Sequence, residues 1–227
     1  MTLQSESRVE TLEPRTPIVH PKTQLRIGNW NVRTLYAQRK TAQAAKAMSE
    51  ATLQIKSRWC GSGKFILCTG ETIAYSGRDD EVYQHGVAIM LDKDAAKVLI
   101  NWKPIDERII RARFHSMYVK LTLIHAYAPT NVTDEEVKDH FYEKLQTIVA
   151  KTPKHDLLVI TGDLNAKVGS DVEEYERVMG IHGVGTRNDS GEKLCDFGGM
   201  NDVVITGAIC PHKEIHKQTL IDALAIR

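Results

Sequence analysis

The sequence predicts a mixed α/β domain built in layers, and three observations carry that reading. Short apolar or alternating runs, bounded by glycine, proline and polar residues, recur from about Leu25 onward. Two longer segments have helical composition or helical spacing. The connections between these pieces vary in length, and no internal repeat or low-complexity tract breaks the pattern. At 227 residues the chain is long enough for a sizeable core, and its 42% hydrophobic and 26% charged residues are ordinary for a globular protein.

Taken in order, residues 1–24 hold three prolines and little apolar periodicity, which predicts a disordered leader ahead of one domain over 25–227. LRIGNWNVRTL alternates from Leu25 and predicts a strand with polar residues, Asn31 among them, near its end. Arg39 to about Leu53 is rich in Ala, Lys, Gln and Met and predicts a helix. Thr34 would cap that helix only if it begins earlier, and the pattern leaves this open. A glycine-punctuated link then leads to short strands at Phe65–Leu67 and in GETIAYSG. Gly86–Leu91 reads as a further strand, Asp94–Ile100 as an excursion after it, and Ile109–Phe114 as an alternating strand. Met117–Tyr127 predicts a long strand that Pro129 stops.

Asn131–Ala150 predicts a helix opened by a Thr133/Glu136 capping box, with Val137, Phe141, Leu145 and Ile148 on its apolar face. Leu157–Ile160 is a short apolar run consistent with a strand buried on both faces, although periodicity alone leaves a buried helical segment open. Gly191–Phe197 predicts a short helix and Val203–Ile205 a last strand.

Composition bounds the function. A formal net charge of +1 announces no nucleic-acid partner by itself, though it leaves room for a local basic cleft. Cys60, Cys68, Cys195 and Cys210 form no C-x-x-C pair, so they read as reduced thiols of an intracellular protein rather than as zinc ligands. No apolar stretch is long enough to span a bilayer, and no membrane partner is expected.

The stretch HDLLVITGDLNAKVGS, His155–Ser170, is the most informative. Asp163 and Asn165 follow the apolar run directly, and on extended chain residues two apart project to one side. A carboxylate and an amide at the C-terminal end of a strand occupy the place where α/β sheets put ligand sites. A plain Asx turn that ends the strand fits the same residues. Further polar groups stand at predicted strand ends: Asn31, Tyr127 with Asn131, and Arg187 with Asn188. Asp, Asn, Tyr and Arg are the residue types that a magnesium-assisted phosphodiester site uses, for a carboxylate ligand, an oriented water and stabilisation of charge on phosphorus.

In their order, NWNVRTL, RWCGSGKF, GVAIML, HAYAPTN, TGDLNAKVG and RNDSGEKLCDF resemble the endonuclease domain of RTE-type non-LTR (LINE) retrotransposons. The craniofacial development protein 2 group, derived from such an element, shares the pattern. The resemblance runs from about Leu25 to Thr219 and places the chain in the endonuclease/exonuclease/phosphatase superfamily. It implies a four-layer αββα sandwich of the DNase I-like type and an intracellular, monomeric, magnesium-dependent nuclease acting on DNA in the nucleus or cytoplasm. It implies Asn31 as a metal-site residue, Tyr127 and Asn131 as contacts to the scissile phosphate, and Asp163 as the group that positions or deprotonates water. Asn165 would stabilise the transition state, Asp222 would orient a histidine, and Arg187 and Asn188 would contact DNA.

Two departures qualify the implied activity. Where such domains carry a metal-binding glutamate three residues before a tryptophan, this chain has Lys56 before Trp59, and an ammonium repels a divalent cation. The Ser-Asp-His segment of such domains would lie beyond Arg227, and His212 and His216 do not match it, so a C-terminally incomplete domain with impaired hydrolysis is expected. The alternative is an inactive module that binds DNA or a protein. A phosphatase acting on phosphoinositides or small phosphates is a weaker third reading.

Overall fold

In the computed structural model, residues 27–30, 52–56, 59–80, 85–209 and 223–224 are described, with backbone alone for 27–30, 52–56 and 223–224. Ten strands form two five-stranded sheets. The first has the order β1 (Ile27–Trp30), β2 (Thr52–Lys56), β5 (Val87–Leu91), β4 (Thr72–Ser76), β3 (Ser62–Ile66). The second runs β10 (Ala223–Leu224), β9 (Leu157–Asp163), β8 (Leu121–Tyr127), β7 (Ile109–Phe114), β6 (Leu99–Asp106). Among the described residues the helices are α1 (Lys93–Lys97), α2 (Glu135–Ala150), α3 (Asp189–Asn201) and the single turn α4 (Thr206–Ile209).

Alternation along the strands sorts the core into two layers. Leu121, Leu123 and Tyr127 of β8 join Ala74 of β4, Val87, Ile89 and Leu91 of β5, and Ile110, Ala112 and Phe114 of β7 between the sheets. Ile124 and Ala126 of β8, with Leu158 and Ile160 of β9, point the other way onto Phe141, Leu145 and Ile148 of α2 and Leu194 and Phe197 of α3. β8 is therefore covered on both sides, and all seven of its residues are buried. That double cover is why a near-continuous apolar run was needed there. A hydroxyl also crosses between the sheets, where Ser76 Oγ donates to the Asp106 carbonyl at 2.5 Å.

β7 matches its predicted span, and α2 ends at Ala150 as predicted. Several expectations are corrected. The helix predicted over 39–53 falls outside the described residues except for Thr52 and Leu53, which open β2 instead. β8 begins at Leu121 because Met117, Tyr118 and Val119 lie exposed in the turn before it. β6 was not predicted, since Pro104 and a mixed pattern hide it; it is an edge strand, the one sheet position that tolerates proline.

The capping box at Thr133 does not form. α2 starts after Asp134, and Thr133 Oγ1 pairs with Thr130 Oγ1 at 3.0 Å. Val137 is exposed, while Lys138 is buried and paired with Glu135. The strand predicted at Val203–Ile205 is an irregular segment pinned by Val203 N–H to Gly198 O and Ile205 N–H to Val178 O. The leader, Asn31, His212, His216 and Asp222 lie outside the described residues. Among those described, no helix is long and apolar enough to cross a membrane.

Candidate functional site

β8 and β9 pair in parallel, with Tyr127 opposite Asp163 as the last residue of each strand. Both polar groups therefore leave the sheet at one place, on the side that faces the first sheet. The register continues back through Ala126 opposite Gly162, where the approach is so close that a Cβ on Gly162 would lie 1.8 Å from the Ala126 carbonyl oxygen. Gly162 also has φ +133°, so glycine is required for the strand to deliver Asp163 beside Tyr127.

Past Asp163 the chain does not stay extended. Asn165 adopts φ +47°, and its N–H donates to Asp163 Oδ1 at 3.2 Å. The two side chains are thus related by an Asx turn and not by alternation along a strand, which corrects the extended reading. Asn165 Nδ2 donates to the Ala128 carbonyl at 2.7 Å, tying the turn to the segment that follows Tyr127.

The remaining predicted residues hold this platform from behind. Asn188 caps α3: its Oδ1 accepts from Gly191 N–H at 2.8 Å and from Lys167 N–H at 3.0 Å. Asn131 Oδ1 accepts from the Ser190 hydroxyl at 3.2 Å and from its N–H at 3.4 Å. Arg187 donates through Nε to the Val168 carbonyl at 3.1 Å and through Nη2 to the Asp171 carbonyl, and its guanidinium lies 4.5 Å from the Tyr175 ring centre. Tyr175 in turn donates to Asp196 at 2.7 Å, a bond that with burial pushes its phenol up to about 12. Of these, Asn188 and Arg187 bond the loop that follows Asn165, while Asn131 and Tyr175 bond α3.

Two residues at the site were missed. Arg108, in the β6–β7 turn, accepts from Tyr127 N–H through its carbonyl at 2.8 Å and donates from Nη1 to the Tyr127 carbonyl at 3.3 Å. Its guanidinium carbon lies 5.4 Å from the Tyr127 ring centre. Burial pulls its pKa below the ordinary guanidinium value against the upward pull of Glu107. His85, with φ +62°, stacks on the same ring at 6.0 Å. The sequence signal for Arg108 was an Asp-Glu-Arg run just ahead of an alternating strand, which reads as an ordinary turn; His85 gave only a histidine before a strand's first glycine.

Among the described residues, the donor set fits magnesium poorly. Magnesium is held through one or two carboxylates together with waters and substrate phosphates. Asp163 brings one carboxylate, already engaged by the Asn165 N–H, and Arg108 and His85 on the Tyr127 ring add none. β2 ends on Lys56, paired with Val87. Among the described residues no three carboxylate, imidazole or thiol groups converge.

No family model matches the chain. Over 187 residues, 81% of the chain, it is 34% identical to craniofacial development protein 2 of Bos taurus. It is 33% identical to the same protein of Tragulus javanicus over an equal stretch. These stretches make up 31% and 32% of those proteins, so the chain spans about a third of the length of the curated relatives it matches. In structure it is similar to the endonuclease domain of TRAS1, a telomere-specific non-LTR retrotransposon, with a TM-score of 0.50 at 17% identity, over 79% of this chain and 72% of that one. At that identity the likeness speaks for the fold.

Proposed function

We propose that this chain, a homologue of craniofacial development protein 2 with the DNase I-like fold of the endonuclease/exonuclease/phosphatase superfamily, is an endonuclease-type domain that grips the phosphodiester backbone of DNA. The observation that carries the reading is the parallel register setting Tyr127 beside Asp163 at the joint end of two central strands. In this reading Asp163 accepts a proton from water, and the Tyr127 phenol and the second amide hydrogen of Asn165 contact phosphate oxygens. Arg108 adds a cation on the same ring.

Hydrolysis is impaired in this reading. A single carboxylate and a lysine at the end of β2 leave magnesium, the cofactor of the resembled domains, weakly held. A second reading, favoured by that same donor set, is a module that binds DNA without cutting it.

Nicking of supercoiled plasmid by purified protein in magnesium, in chelator and with Asp163→Asn tests both. Slow nicking, lost in chelator and lowered by about two orders of magnitude or more in the variant, is expected of an impaired enzyme. Retention of DNA without nicking by a folded protein supports the binding module. A folded protein that neither retains nor nicks DNA overturns both readings.

A further inference from the structure

Arg108, beside Tyr127, makes no ion pair with a described carboxylate, and its one side-chain hydrogen bond among the described residues goes to the Tyr127 carbonyl. Asp106, two residues before it, is committed elsewhere: Oδ1 accepts from the Arg108 N–H at 2.8 Å and Oδ2 from Lys144 Nζ at 2.5 Å. Glu107, Tyr127 and Asp106 pull the guanidinium pKa up and Arg78 pulls it down, each less than burial does. The turn is also fixed in place, since Ser76 of the facing sheet donates to the Asp106 carbonyl. A half-buried guanidinium on a rigid turn, held against an aromatic face, has already met the desolvation and ordering costs of binding an anion. Its fork suits two oxygens of one phosphate.

We infer that Arg108, with Tyr127, forms an anion anchor that holds a phosphate of the bound strand without any divalent cation. The inference rests on the DNA-binding reading above, and it assigns to a guanidinium the charge neutralisation that a metal supplies where more carboxylates converge.

The test is equilibrium binding of a short DNA duplex, by fluorescence anisotropy in chelator and in magnesium, to wild type, Arg108→Gln and Arg108→Lys. Binding of inorganic phosphate in chelator is followed in parallel through broadening of its phosphorus NMR line. Wild type should bind the duplex equally in chelator and magnesium. Arg108→Gln should weaken binding about tenfold or more and make the log–log salt slope shallower by about one. Arg108→Lys keeps the charge but loses the fork, so its affinity should fall while its slope stays unchanged. It carries the test alone if Arg108→Gln does not fold.

Loss of duplex binding in chelator, or variants that bind as wild type does, would overturn the anchor while leaving DNA binding in place. Arg108-dependent phosphate binding with no duplex binding would uphold the anchor and sink the DNA reading. Wild type that binds neither probe overturns both.

Discussion

Arg113 meets Asp156 with both arms of its guanidinium, Nε to Oδ2 at 2.6 Å and Nη2 to Oδ1 at 2.8 Å, while Thr122 Oγ1 donates to Oδ2 at 2.7 Å. Asp156 stands just ahead of β9, so the clamp joins β7, β8 and the start of β9 at the end opposite the candidate site. Burial raises the Asp156 pKa, but the Arg113 fork and the Thr122 hydroxyl outweigh it, and the net shift is downward. A depressed carboxyl stabilises the fold above its unfolded value of about 3.9, and that contribution is lost as pH falls through the folded value. Asp156→Asn should therefore cost about 3 kcal/mol near neutrality, with the gap to wild type closing below about pH 4. Urea denaturation across that range measures it. A gap that persists unchanged into acid would show the loss to be one of packing.

Asn165 is expected to be sensitive to chemistry rather than size. Asn165→Ala loses the bond to the Ala128 carbonyl and keeps a side chain at φ +47°, which should cost about 1–2 kcal/mol. Asn165→Asp should cost more, because it sets an anion against the Ala128 carbonyl and beside Asp163. If the aspartate variant proves the more stable in chemical denaturation, the amide bond is not what holds the turn.

For Asn188 the acceptor oxygen is what counts. Asn188→Ala strands the N–H groups of Gly191 and Lys167 and should destabilise by about 1–2 kcal/mol. Asn188→Asp keeps the cap and should melt within a few degrees of wild type. Equal melting of the alanine variant would assign Asn188 to a ligand rather than to the helix.

Gly162→Ala brings a methyl to 1.8 Å from a backbone oxygen at a positive φ. A loss above about 4 kcal/mol, or no soluble folded protein, is expected. Circular dichroism with a urea titration decides; a change below about 1 kcal/mol would mean the β8–β9 ends can part freely.

How much of this was legible follows from what each residue answers to. β7 and α2 obey local rules, alternation and 3.6-residue spacing, and so declare themselves in sequence. β6 answers to its place at a sheet edge, where half-exposed residues and Pro104 erase alternation. Asp163, Asn165 and Tyr127 could be singled out as candidates because their motifs are local. Their mutual geometry was not, since Asn165 turns left-handed to reach a carbonyl in a different strand's extension. Arg108 and His85 meet Tyr127 only after two turns from different sheets converge, and no pattern in either turn carries that information.

The pairing of β8 with β9 also sets an order of events. Tyr127 reaches its place in a strand that pairs with its neighbour β7 across a short turn, a local contact available early. Asp163 arrives only after the chain has passed through the whole of α2 and returned parallel to β8, a closure that costs loop entropy before any bond repays it. A chain halted between these steps would hold a formed hairpin and helix with half a site. Phosphate recognition, if the proposed site carries it, would then report on a late step of folding, the closing of the second sheet's parallel pair.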